Sequence, residues 1–316
     1  MTQPRILFAG TPEISVPLLK GLAARFEVVG VLTSCDKSSG RSSKLVPSPV
    51  KSAALELGLP VLQFDSIRTE ARAAVRALGA DTLVSFAFGR IFGPRFLDLF
   101  PNGKFNVHPS DLPVFRGPSP VQYTIMNGLG QATISFQSLG LGMDEGDIWG
   151  KTVIPLTGTE TTQSLGEIIA QRAAEFVPGL LSEIVEGKAK PVPQSGEVSY
   201  CSMIERETGD LFFSGTVREV HCLIRACYPW PKAWANASGN VMAITGVWGG
   251  FSYIADPDKT DAAPGTVVGF RKDRGIGVAC ADGILWITGL QLPAKKELDF
   301  RSFVNGNRWI LSARFI

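Results

Sequence analysis

The first hundred residues alternate between two hydrophobic periods, and this alternation most narrows the folds open to the chain. RILFAG (5–10) is a short apolar run stopped by Gly-Thr-Pro, and SVPLLKGLAARF (15–26) carries Val16, Leu19, Leu22 and Ala23 at helical spacing. EVVGVLTS (27–34) is then continuously apolar again. Strand, helix and strand within about 30 residues make a βαβ unit, whose strands are parallel and whose crossover is right-handed. The same reading predicts helix 48–58, strand 60–63, helix 66–78, strand 81–86, helix 94–99 and strand 104–108. The expected fold is an open, mainly parallel α/β sheet, and such sheets gather ligands beyond the carboxyl ends of their strands.

Further on, residues 121–128 read as a helix opened by Pro120, and 132–139 as a strand. Residues 163–187 read as a long amphipathic helix broken or kinked near Pro178. KAKPVPQSGEVSY (188–200) is rich in Pro, Gly and Ser and has no period, as expected of a linker. Beyond it, 217–226 is helical. VMAITGVW, GTVVGF, GIGVACA and GILWITGLQL are short β-rich segments parted by Gly and Asp turns, and 298–306 is a closing helix. A chain of 316 residues is expected to form two domains. The expected division is an α/β domain over 1–187, a linker over 188–208 and a small barrel over 209–316.

Composition removes several classes of function. A net charge of +2 gives no overall basic field, so any nucleic-acid surface must be local. The five cysteines are scattered with no C-x-x-C pair, which argues against a disulfide framework or a zinc site and for a reducing cytoplasm. No run of about 18 apolar residues occurs, and the opening MTQPRILFAGTPE has too short an apolar core for a signal peptide. Neither export nor a membrane span is expected. There is no P-loop, no G-x-S-x-G elbow and no metal-ligand cluster, and GTPE is not the dinucleotide fingerprint.

The chemistry-bearing stretch is FNVHPSDLPVFRGPSP (105–120). On a strand, positions 106 and 108 share a face while Val107 turns to the other, and Pro109 ends the strand there. Asn106 and His108 thus stand together at a carboxyl edge. An amide donor beside an imidazole suits a reaction that develops charge on a carbonyl oxygen. The same residues equally suit a strand-end turn, with Asn106 capping backbone groups and His108 satisfied at the edge. GMDEGDI (142–148) adds Asp144 and Asp147 in a glycine-flanked turn, from which a carboxylate could reach the imidazole and accept a proton.

Together these strings resemble the formyltransferase family that uses 10-formyltetrahydrofolate. N-V-H-P-S-D-L-P followed by Arg116-Gly117 and Pro120, with M-D-E-G-D downstream, carries the likeness. FAGTPEISVPLL, GRSSKLVPSPVK (40–51), YPWPKAW (228–234), PGTVVG and VACADGILWITGLQL extend it over nearly the full length. The YPWP stretch and the C-terminal segments match the branch whose acceptor is methionyl initiator tRNA. The resemblance implies a Rossmann-like formyltransferase sheet followed by an OB-like β-barrel. It also implies formyl transfer to that tRNA through a tetrahedral intermediate, by a cytoplasmic monomer that needs no metal. In this family pattern Asn106 and His108 stabilise the oxyanion, and Asp144 orients His108 and helps move the proton. Folate contacts, largely backbone, are implied for Phe86, Phe88, Gly89, Arg90, Ile91, Ser110, Leu139, Gly140 and Leu141.

The resemblance further implies tRNA contacts from Arg41 and Lys44 in the basic loop and from Arg271 and Lys272 in the barrel. Arg90 replaces a usual apolar residue, the loop SLGLG (138–142) lacks a common acidic pair, and Asp111 stands where leucine is frequent. Phe86, Phe88 and Phe92 equally suit ordinary core, and Arg271, Lys272, Arg274, Lys295 and Lys296 equally suit solvated turns. His221 is read as structural. Sugar-nucleotide and purine-pathway formyltransferases share the trio, so the acceptor is read from the loop and the barrel.

Overall fold

The alternating periods of the N-terminal half build a seven-stranded sheet. The computed structural model describes residues 3–38 and 45–316. In chain order the elements begin β1 (Arg5–Gly10), α1 (Val16–Ala23), β2 (Glu27–Thr33), β3 (Lys37–Ser38), β4 (Leu45–Val46), α2 (Pro49–Glu56), β5 (Val61–Gln63) and α3 (Thr69–Leu78). They continue β6 (Thr82–Phe86), α4 (Pro94–Leu97), β7 (Gly103–His108), α5 (Pro120–Met126), β8 (Gln131–Ser138), β9 (Ile148–Pro155) and α6 (Thr162–Val185). The sheet order is β5-β2-β1-β6-β7-β8-β9, parallel from β5 to β7 and antiparallel between β7 and β8. Local signals set the helix ends. Ser48 caps α2 by accepting the Lys51 N–H with Pro49 in the first turn, and Gly79 closes α3 in the left-handed conformation at φ 64°.

Two units are distinguished. One comprises the chain to Pro120 with Thr133–Ile154 and Gly166–Cys201; the other comprises Val121–Ala132, Pro155–Leu165 and Ser202–Ile316. In the first, Ile6, Leu7 and Phe8 of β1 and Leu83 and Val84 of β6 are wholly buried, as strands covered on both faces must be. Of the break or kink expected near Pro178, the break is absent: α6 is one continuous helix, and the Ser182 hydroxyl donates to the Pro178 carbonyl at 3.0 Å. β9 was not anticipated, because IWGKTVIP mixes a glycine and a lysine into a half-exposed run.

The second unit holds α7 (Val217–Ala226), β10 (Ala233–Ala237), β11 (Asn240–Val247), α8 (Phe251–Ala255), β12 (Val267–Arg271), β13 (Gly275–Ala279), β14 (Ile284–Gln291), β15 (Leu298–Asp299) and α9 (Phe300–Gly306). Its antiparallel order is β10-β11-β14-β13-β12. Phe315 bridges Ala237 at one edge and Arg314 bridges Thr266 at the other, so the C-terminal residues join the two edges. β10 hides behind the Pro-Trp-Pro stretch, and the expected closing helix starts two residues late because Leu298 and Asp299 pair with β14.

α7 begins with a capping box between Thr216 and Glu219. It buries His221 completely, with Nε2 3.2 Å from the Gly249 carbonyl and Nδ1 accepting from Arg225 Nε at 3.0 Å. The ring is therefore neutral, and its role is structural. Burial, and then the adjacent Arg225 cation, push its pKa down to about 3. The unfolded chain takes up a proton below about 6.5 that the folded one refuses, so stability falls as pH drops through that window. Between pH 6.5 and 5 the expected loss from this group is about 1.5–2 kcal/mol. Urea unfolding followed by tryptophan fluorescence should show this slope, and His221→Gln should flatten it.

Candidate active site

Strand pairing assembles the site. β7 and β8 run in a register that sets Asn106 opposite Gln137 and His108 opposite Ser135. On β8 the polar residues Thr133, Ser135 and Gln137 alternate with Ile134 and Phe136, and all five are buried. Val107 is in the core. A polar row therefore lies inside the sheet, and each member requires a partner.

Asp144 supplies the centre of that row. Its Oδ1 accepts from Gln137 Nε2 at 2.8 Å and lies 3.5 Å from Asn106 Nδ2. Its Oδ2 accepts the Gly117 N–H at 3.0 Å and stands 3.5 Å from His108 Nδ1. The Asp144 backbone adopts φ 50°, a left-handed conformation that costs a non-glycine residue about 1–2 kcal/mol. Gln194 holds it there, donating from Nε2 to the carbonyls of Asp144 and Gly146, each at 2.8 Å. Gly146 must lack a side chain, since a Cβ would sit 1.9 Å from the Ser138 carbonyl. Of the other carboxylates in this turn, Glu145 and Asp147 are both exposed, and Asp147 contributes its carbonyl to the Ser138 N–H instead.

His108 is 5% exposed, and its Nε2 lies 2.9 Å from the Phe115 carbonyl. A carbonyl only accepts, so Nε2 carries the hydrogen, and in the neutral ring Nδ1 is the bare nitrogen facing Asp144. Burial pushes His108 below the ordinary imidazole range, while the Asp144 carboxylate and the Phe115 carbonyl oppose that shift. The 3.5 Å approach becomes an ion pair only when Nδ1 gains a proton.

The loop after β7 is pinned at several points. Phe115 N–H donates to Ser199 Oγ at 2.9 Å, and Arg116 donates to Gln194 Oε1 from Nη2 (2.7 Å) and Nε (3.2 Å). Lys151 accounts for Asp111, reaching its Oδ1 at 2.5 Å and the Leu112 carbonyl at 2.6 Å. Gln137, Gln194, the Phe115 carbonyl and the Gly117 N–H were not singled out in the sequence. The alternation of polar residues in ATISFQS would have found Gln137, whereas Gln194 sits in a stretch with no period to read.

The segments expected to meet folate are brought together: Leu139 packs against the cluster that contains Phe88 and Phe92. Phe86 and Phe88 are buried, and the Phe88 and Phe92 rings stack at 5.2 Å, so ligand contact there would run through backbone. The Arg90 guanidinium donates to the Phe64 carbonyl at 2.5 Å, and buried Ser110 donates to the Val114 carbonyl at 2.6 Å. Gly89 is left-handed at φ 79°, Gly140 is exposed, and Ile91 and Leu141 are exposed apolar residues at 81% and 68%.

Arg41 and Lys44 lie outside the described residues. In the second unit Arg271 pairs with Asp273 at 3.1 Å, and Arg274 pairs with Asp258 at 2.5 Å while stacking 4.6 Å over Trp248. Lys272, Lys295 and Lys296 are exposed. Among the described residues no group of three or more His, Cys, Asp or Glu side chains could hold a metal ion, and no helix is long and apolar enough to cross a membrane.

Residues 5–181 match the model of the family described as formyl transferase, and residues 203–308 match that of the formyl transferase C-terminal domain. The chain belongs to the formyl transferase family. Among curated relatives, the methionyl-tRNA formyltransferase of Symbiobacterium thermophilum is 36% identical over 98% of this chain and 95% of its own. That of Borrelia turicatae is 33% identical over 98% and 99%. Among solved structures, the N-formyltransferase of Helicobacter canadensis, in complex with folinic acid and dTDP-3-aminofucose, superposes with a TM-score of 0.63 over 92% of this chain and 98% of its own. At 17% identity that likeness speaks for the fold alone.

In this formyl transferase Gly117 joins the loop to the carboxylate at φ 121°, and a Cβ there would lie 2.4 Å from the Cys201 carbonyl. Gly117→Ala is expected to cost about 2–4 kcal/mol of unfolding free energy in urea titrations, from backbone strain together with displaced packing.

Proposed function

We propose that this chain transfers the formyl group of 10-formyltetrahydrofolate to the amino group of methionyl initiator tRNA. One observation carries the reading: Asn106, His108 and Asp144 converge at the carboxyl edge of β7. They do so in a chain whose full-length relatives bear the name methionyl-tRNA formyltransferase. The folinic acid held by the Helicobacter canadensis protein supports a folate as the donor.

In the reaction a bond forms between the amine nitrogen and the formyl carbon, the bond from that carbon to N10 of the folate breaks, and one proton passes from the amine to N10. Among the described residues the Asn106 NH₂ meets Asp144 at 3.5 Å, a contact loose enough to give up as it donates to the formyl oxygen on which charge collects. His108 Nδ1, uncharged and unprotonated, takes the proton from the attacking nitrogen and returns it to the departing one. Asp144 then faces an imidazolium and stabilises it. This divides the work differently from the family resemblance, because the only N–H of neutral His108 is committed to Phe115 rather than to an oxyanion.

Backbone of residues 86–91 and 139–141 would hold the pterin, with Ile91 and Leu141 covering it and Ser110 bracing the loop beneath. Arg41, Lys44, Arg271 and Lys272 would contact tRNA phosphates, so binding should weaken steeply with salt. We read the enzyme as a monomer acting in the cytoplasm, the compartment in which its tRNA acceptor is used.

The test supplies labelled 10-formyltetrahydrofolate with charged initiator tRNA, free amino acids and amino-sugar nucleotides in parallel. Label is expected on the tRNA alone. Asn106→Ala, His108→Ala and Asp144→Asn should each lower turnover by about 10²–10³ while remaining folded; near-parental turnover in the His108 variant refutes the reading. Arg41→Ala should raise KM for charged tRNA and leave KM for the folate unchanged.

A further inference from the structure

We infer that Gln194 is a positioning residue for Asp144, an inference that rests on the reading of Asp144 given above. Gln194 lies outside the sheet, in a stretch without secondary structure, yet its amide is saturated by the site. Its NH₂ donates to the carbonyls of Asp144 and Gly146 at 2.8 Å each, and its Oε1 accepts from Arg116 Nη2 and Nε at 2.7 and 3.2 Å. These partners decide the orientation of the amide, because a flip would set its oxygen against two carbonyls and its NH₂ against a guanidinium. Gln194 therefore grips the two segments between which Asp144 works: the left-handed turn that carries it, and the Arg116 side of the peptide whose next residue, Gly117, donates its N–H to Oδ2. Loss of that grip lets the turn relax and moves the carboxylate off His108 Nδ1.

The segment does not need Gln194 to stay in place. Val192 exchanges two backbone hydrogen bonds with Ile148, Ser199 accepts from Arg116 N–H at 2.9 Å, and Cys201 N–H donates to the Arg116 carbonyl at 2.8 Å. Variants at position 194 should therefore fold, and thermal melting checks this.

Two substitutions test the role in the full chain. Gln194→Met keeps the length and removes every hydrogen bond; Gln194→Glu keeps an acceptor for Arg116 but sets a charged carboxylate oxygen, in place of the donors, against the Asp144 and Gly146 carbonyls. Each is expected to lower kcat about 10- to 100-fold with KM for both substrates within about twofold. In an Asp144→Asn background, measured by single turnover with excess enzyme, Gln194→Met should cost less than about threefold more, since the group it positions is already disabled. A parental kcat in both single variants, or a full multiplicative loss in the Asp144→Asn background, overturns the inference. Parental turnover in Asp144→Asn itself would instead sink the assignment of Asp144, so the two failures are told apart.

Discussion

The register between β7 and β8 is the constraint on which the site depends. Side chains alternate with a period of two, so a slip of one residue would turn Asn106 and His108 toward the face now occupied by Val107, and Gln137 toward that of Phe136. The register is held from both faces. Phe105 and Phe136 stack at 5.0 Å on the apolar side, while on the polar side Asn106, His108 and Gln137 meet at Asp144 and Ser135 donates to the Ser110 carbonyl. Each face penalises the slip for its own reason, one by exposing rings and the other by burying unpaired amides. The reactive groups thus inherit their placement from the core.

Sequence periodicity made the parallel half legible, and it made Asn106 and His108 neighbours, because both facts depend only on spacing along one strand. Asp144 was legible as a carboxylate in a turn, but what distinguishes it from Asp147 was not. That choice is made by Gly117, Gln137 and Gln194, which arrive from three distant segments. Gln194 in particular stands among Pro, Gly and Ser residues that read as a linker, where no pattern marks a side chain that will be completely hydrogen-bonded. Pro178, with its missing N–H, left a break or a kink open, and the helix runs through it without a break. The Phe86 and Phe88 rings could be read as pocket or as core from sequence, and only their burial separates the two.

A polar row inside a sheet is costly unless its members find partners. Among the described residues, the buried side-chain atoms without a hydrogen-bond partner are Thr245 Oγ1 and Arg274 Nε, both in the second unit. The hydrogen bonds that hold Asp144 are thus already formed, and in the proposed reaction little reorganisation is left to drive. The long contacts are the exceptions. Asn106 to Asp144 and His108 to Asp144 are both 3.5 Å, whereas Gln137, Gly117 and Gln194 hold Asp144 at 2.8–3.0 Å. In the proposed reaction the groups with slack are those that change partners.

That distribution of slack has a consequence for proton flow. The α-amino group attacks as the free amine, and the nitrogen that has bonded to the formyl carbon must then lose a proton. A histidine of ordinary basicity in the same place would be partly charged in mildly acidic solution and useless as an acceptor. Burial keeps His108 neutral below the ordinary imidazole range, and the Phe115 carbonyl keeps its hydrogen on Nε2. Burial alone would also make it a poor base. Asp144, facing the one nitrogen that can be protonated, offsets this when the charge arrives, and its distance from Nδ1 decides how much. The elements that fix the Asp144 carboxylate thereby set the basicity of a histidine that most of them never touch.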